Sequence, residues 1–196
     1  MPLNLEKLAQ YKEWFLAAFP GNADFSHPEY FEKERAYKAE LVDAFQSELA
    51  ANFPTLPRSE EQLLALGEGL IRLFFRPLDG NGGNPQNLVG WRYSAFAHKL
   101  DDGGKIAFAR SVAALLDEST PLGNRIPTFQ TDLEQLAASV GEPCRPAMKR
   151  SVTTFFLFLY DPSKYVFVKT REFGRVMLEL LGQKYYGRND EYGRIL

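Results

Sequence analysis

Apolar residues recur every three or four positions along most of this chain, and proline and glycine cut the pattern into helix-length pieces. That period matches one face of an α-helix and does not suit a half-buried strand, which alternates every second residue. Leu5, Leu8, Tyr11 or Lys12, Phe15 and Phe19 predict a first helix over 4–19, closed by Pro20-Gly21. Pro28 sits well in a first turn and starts a long helix to about Asn52, carrying Phe31, Tyr37, Leu41, Ala44, Phe45, Leu49 and Phe53. Pro54 and Pro57 break it. Ser59-Glu60-Glu61-Gln62 has the form of a capping box, opening a helix to about Phe75 with Leu63, Leu66, Leu70, Leu73 and Phe74 inward. Gly67 and Gly69 inside it predict either close helix packing or a bend, because glycine there costs about 1 kcal/mol relative to alanine.

Residues 78–90 hold the most evident break, a Gly- and Asn-rich run that cannot sustain a helix or a central strand. It is expected to be a hinge between residues 1–77 and 91–196, or a surface loop within one domain. Four further helices are expected after it, over about 91–100, 102–117, 128–140 and 146–160. Thr128 or Thr131 caps the third of these. After the Asp161-Pro162-Ser163 turn, Tyr165-Val166-Phe167-Val168 predicts one short strand or extended segment, and a last helix runs from 170 to Gly182. The fold class is therefore mostly α, a bundle-like helical domain with at most that one extended segment near 165–168.

Charge divides unevenly along this frame. The whole chain has 23 Lys+Arg against 25 Asp+Glu over 196 residues, which by itself argues against a nucleic-acid partner. Residues 1–80, however, carry 8 basic and 13 acidic side chains, a net of −5, whereas 81–196 carry 15 and 12, a net of +3. Within 143–188 there are 9 basic and 3 acidic residues together with nine Phe or Tyr, so near-neutrality conceals a basic, aromatic rear.

Catalytic and metal signatures fail one by one. The Gly80–Gly83 cluster lacks the Lys-Ser/Thr that a phosphate loop needs, and Gly103-Gly104-Lys105 continues with Ile106 without a preceding strand. The latter is expected to be an ordinary helix start after Asp101-Asp102. His27 and His98 have no ligand-spaced companions, so no metal and no cofactor are expected. Tyr165-Val166-Phe167-Val168-Lys169 lacks the acidic residue that would make its lysine part of a nuclease centre. The lone Cys144, in a turn, is expected to be inert, and it fits a reducing cytoplasm. No run of about 20 apolar residues marks a membrane span, and Met1–Glu6 lacks the layout of a signal peptide. The chain is thus expected to be cytoplasmic and non-catalytic.

What remains is the rear. Phosphates call for clustered Lys and Arg, and bases for flat rings or guanidinium planes to stack on. Lys164, Tyr165, Lys169, Arg171 and Arg175 supply both within twelve residues, with Arg171 and Arg175 one helical turn apart. Lys149 and Arg150 add charge, and Trp91-Arg92 adds a second ring–guanidinium pair. These nine residues are the candidate nucleic-acid contacts. Against them stands the plainer reading, in which most of the aromatics are core and a basic face is simply solvated.

Asn87-Leu88-Val89-Gly90-Trp91, followed by Phe156 to Asp161-Pro162-Ser163-Lys164-Tyr165 and Lys169-Thr170-Arg171-Glu172-Phe173, resembles the helical N-terminal regions of McrB-like modification-dependent restriction proteins. The likeness covers about 85–182, and Val166 departs from it where the pattern has proline. It implies a DNA-recognition or regulatory module that positions an attached AAA+ motor or nuclease partner in anti-phage defence. This chain carries neither a Walker motif nor a nuclease core, so the resemblance implies that the motor lies beyond Leu196. The alternative expectation is a helical protein–protein adaptor built on the acidic helices from Glu29 to Glu48; a stand-alone enzyme is the third.

Overall fold

The computed structural model describes residues 3–21, 28–50, 53, 59–77 and 85–182. Helix α1 is Leu5–Ala18; α2 (Pro28–Tyr30), a π-helical stretch (Phe31–Ala36) and α3 (Tyr37–Glu48) follow in one run. Then come α4 (Glu60–Leu73), α5 (Trp91–Ser94), α6 (Asp102–Leu116), α7 (Leu122–Ser139), α8 (Pro146–Tyr160) and α9 (Thr170–Leu181). The mostly-α expectation holds, and the described residues contain no strand.

Local signals account for many of the ends. Asn4 caps α1 by accepting from the Lys7 amide at 3.1 Å. The Ser59 capping box is complete: Ser59 Oγ accepts from Gln62 N at 3.2 Å, and Ser59 N donates to Gln62 Oε1 at 3.1 Å. Asp101 accepts from the Gly104 amide at 2.7 Å, so the Gly103-Gly104-Lys105 segment is the helix start expected of it. Gly182 ends α9 with φ 64°, a left-handed conformation that suits glycine.

The core is one cluster drawn from both sides of the 78–90 segment. Helix α4 packs on α6, α3 on α8, and α6 on α7. Leu63, Leu66, Leu70, Leu73 and Phe74 all point inward, as do Val152, Phe155, Phe156 and Leu159. Phe74 stacks on Phe155 at 5.4 Å and meets Phe156 edge-on at 5.6 Å, so aromatics from the front and rear of the sequence share one centre. Gly67 and Gly69 prove to mark close packing. A Cβ on Gly67 would run into the Lys105 carbonyl oxygen of α6, and one on Gly69 would lie 2.6 Å from Leu49 Cδ2.

Four expectations need correction. Helix α7 begins at Leu122, six residues before Thr128, although Pro127 then falls inside it and one backbone hydrogen bond is lost. Burial of Arg125 and Ile126 holds those extra turns, and the Thr128 hydroxyl bonds back to the Asn124 carbonyl at 3.0 Å instead of capping. Residues 91–100 form not one α-helix but α5 and a 3₁₀ stretch, Ala95–Lys99. The second helix stops at Glu48, with Leu49 as its C-cap; Ala51 and Asn52 lie outside the described residues, as do His27 and residues 78–84. Leu88 and Val89, counted above as part of the loop, are buried in the core.

The 165–168 segment carries no regular secondary structure and is not a strand. Its Val168 amide donates to the Thr154 hydroxyl of α8 at 3.2 Å, a side-chain acceptor in place of a strand neighbour. Gln46 of α3 ties in the same region, donating to the Leu159 carbonyl at 2.9 Å and the Tyr160 carbonyl at 2.6 Å at the open C-terminal end of α8.

Candidate functional site

The nine sequence-derived candidates do not occupy one surface element. Trp91 and Arg92 open α5; Trp91 is 59% exposed, and the Arg92 guanidinium lies 5.3 Å from the ring centroid. Lys149 and Arg150 stand in the first turns of α8, where Lys149 Nζ pairs with Glu134 Oε2 of α7 at 2.6 Å. Lys164 sits on the turn after α8, built by Asp161, whose carboxylate accepts from the Ser163 and Lys164 amides at 3.0 and 3.2 Å. Those bonds, led by the one from the Ser163 hydroxyl, hold the Asp161 carboxyl below its usual pKa. Lys169 is the exposed N-cap of α9. Arg171 lies in the first turn of α9, its side chain outside the described part. Arg175 follows one turn later, beside the Tyr11–Glu179 hydrogen bond that joins α9 to α1 at 2.9 Å.

Tyr165 departs most from expectation. It is 1% exposed and packs in the core, so neither ring face is open to a base. Its hydroxyl donates to Glu118 Oε1 at 2.8 Å and accepts from Arg125 Nη2 at 3.3 Å. Arg125, 6% exposed, also donates to the Leu115 carbonyl at 2.7 Å, while its Nε has no partner among the described residues. Lys164 Nζ completes the group at 2.6 Å from Glu118. The bonds from Lys164 and then Tyr165 hold the Glu118 carboxyl below its usual pKa. Lys149 and Lys164 therefore spend their charge within the fold, which weakens a phosphate-binding role for both.

Lys169, by contrast, interacts electrostatically with a lysine of the front half. Its charge acts on Lys38 of α3, which lies one helical turn from Arg35 of the π-helical stretch. Arg35 stands 5.8 Å over the Phe31 ring, and Phe31 is 46% exposed. Phe31, Arg35 and Lys38 line an open cleft of about 540 Å³ together with Phe158 and Pro162. The steps of four and three residues among them are visible in the sequence, within a segment whose net charge is acidic.

A second missed feature is apolar. Leu3, Leu5, Leu8, Trp14 and Leu16 remain exposed on and just before α1, and none of the residues of α1 is buried. Helix α1 is held at the edge by Phe15 and Phe19, whose rings meet Tyr30 at 5.5 and 5.1 Å, and by α9. The Asn4 amide donates to the Leu180 carbonyl at 2.8 Å.

The residues weighed for chemistry are otherwise engaged. Cys144 is half-buried, and that burial pushes its thiol pKa up, against nucleophilic use. The His98 ring stacks on Phe75 with centroids 3.6 Å apart. Among the described residues no three His, Cys, Asp or Glu side chains gather as metal ligands, and no helix is long and apolar enough to cross a membrane. In comparison with known proteins, the chain matches no family model, no curated protein and no solved structure.

Proposed function

We propose that the chain is a non-catalytic helical recognition module that engages an amphipathic helix of a partner protein through α1. The exposed leucines of α1 carry this reading. At 100° per residue, Leu5, Leu8 and Leu16 fall within a stripe of about 80°, the pattern by which one helix seats against another. Clustered apolar exposure of this kind marks contact surfaces on proteins that are otherwise well packed. Lys12 stands inside the stripe and selects a partner helix with a carboxylate opposite it.

Titration with two labelled amphipathic peptides tests it, one with Glu and one with Lys beside the same leucine stripe. The acidic peptide is expected to bind tighter, and a Leu5→Glu/Leu16→Glu variant to lose it. Equal binding of both peptides, or undiminished binding by the variant, would refute the proposal.

A second reading keeps the nucleic-acid contact that the resemblance implies, with an attached AAA+ motor supplying the chemistry. The open Trp91–Arg92 pair favours it, since a stacked ring and guanidinium offer both a flat face and a charge. Anisotropy with single-stranded and duplex DNA at rising salt tests it: binding should weaken steeply as counterions compete and should fall with Trp91→Ala. Lack of binding at low ionic strength would end it.

A further inference from the structure

The cleft between the π-helical stretch and the end of α8 belongs neither to the α1 surface nor to Trp91–Arg92. Its volume of about 540 Å³ suits a small ligand, since binding pockets span about 300–1,000 Å³. It lies at a run of π-helix, a rare geometry that recurs at functional sites. Its lining is both aromatic, with Tyr30, Phe31 and Phe158, and cationic, with Arg35 and Lys38. Asp43 is the one carboxylate among the described lining residues.

Within the described lining, Arg35 and Lys38 face one carboxylate, Asp43. Among the described residues Arg35 and Lys169 form no ion pair, and Lys38 pairs with Glu34 at 3.8 Å while its ammonium lies 5.2 Å from the Tyr37 ring centroid. Burial draws the Lys38 ammonium below its usual pKa; the charges of Lys169 and Arg35 act the same way, and Glu34 opposes them. An anion set between Arg35 and Lys38 relieves that repulsion and takes charge-assisted hydrogen bonds from both. The Arg35 guanidinium lies 5.8 Å from the centroid of the half-exposed Phe31 ring, so a flat ring entering the cleft has an aromatic and a cationic neighbour side by side.

We propose that this cleft binds a phosphate joined to a flat heteroaromatic ring: the phosphate on Arg35 and Lys38, with Lys169 adding positive potential, and the ring against Phe31. Asp43 accepts from an amino or hydroxyl group of the same ligand. A free mononucleotide and the terminal nucleotide of a strand share this chemistry.

Calorimetric titration of the full chain with AMP, with inorganic phosphate and with a 5′-phosphorylated tetranucleotide tests the assignment. AMP is expected to bind one to one and more tightly than phosphate. Arg35→Gln and Lys38→Gln should each weaken AMP about tenfold, the loss of one charge-assisted contact. Phe31→Ala should weaken AMP and leave phosphate unchanged. Ala39→Trp fills the cleft without touching its charges and should abolish binding, and urea midpoints for all variants separate loss of the site from loss of the fold. Tighter binding of the tetranucleotide assigns the site to strand ends, and tighter binding of AMP assigns it to free nucleotides. Absence of AMP binding at millimolar concentration, or wild-type affinity in folded Arg35→Gln and Lys38→Gln, would overturn the proposal.

Discussion

The Tyr165 hydroxyl donates to Glu118 Oε1 at 2.8 Å across 47 positions of sequence, and it accepts from Nη2 of buried Arg125 at 3.3 Å. One phenol thereby joins the loop after α6, the first turns of α7 and the segment before α9. Tyr165→Phe keeps the ring in the core but leaves Arg125 with a second unsatisfied nitrogen. The variant is expected to lose about 1–3 kcal/mol in urea unfolding with an unchanged far-UV spectrum. A loss no larger than that of an exposed substitution would show that the hydroxyl bonds contribute nothing.

Glu118 also predicts a pH dependence. Its pKa is depressed in the fold, so its contribution is present above the pKa of an ordinary glutamate and is lost as pH falls through the lower, folded value. Melting temperature should therefore decline below about pH 4.5, and Glu118→Gln should flatten that decline. Asp117 and Asp161 are depressed too, so some slope must remain in the variant. Identical slopes in both proteins would count against the Lys164–Glu118–Tyr165 contacts.

Gly67 and Gly103 should respond in opposite ways to alanine. At Gly67 the new methyl meets the rigid Lys105 carbonyl, and overpacking of this kind costs about 1–3 kcal/mol. At Gly103 the nearest atom is Asp101 Oδ1 at 3.6 Å, an ordinary contact. There the usual gain of about 0.5–1 kcal/mol from replacing a helical glycine should appear. Denaturation midpoints of the two variants provide the comparison, and a stabilised Gly67→Ala would contradict the close α4–α6 approach.

The aromatic residues divide in the same manner. Phe156 contacts Phe74, Phe108, Phe129 and Phe155, and Phe156→Ala is expected to cost about 3–5 kcal/mol. Trp91→Ala should stay within about 0.5 kcal/mol, since the ring is exposed. A large loss at Trp91 would make it a packing anchor and remove the support it gives to a binding role.

Much of the helical frame was legible from local chemistry. The Ser59 capping box, the Asp101 cap, Gly182 and the inward faces of α4 and α8 depend on residues within one or two turns of each other, so spacing alone reveals them. The start of helix α7 is not legible locally, because Pro127 opposes a helix while the burial that outweighs it comes from other elements. The site was far less legible. Tyr165 and Trp91 look alike as aromatic residues beside a cation, Lys164 and Arg92, yet one ring is sealed in the core and the other faces solvent.

The sequence by itself determined that the chain is helical, where most helices begin and end, and which faces are apolar, because caps, breakers and the 3.6-residue period act at short range. Only the tertiary structure decided which charges are already matched. Glu118 and Glu134 lie 46 and 15 positions along the chain from the lysines they pair with, whereas the charge of Lys169 acts on Lys38 of the front half. Charge counted along a chain ignores who stands opposite whom, and in a folded protein the distance between side chains sets their interaction.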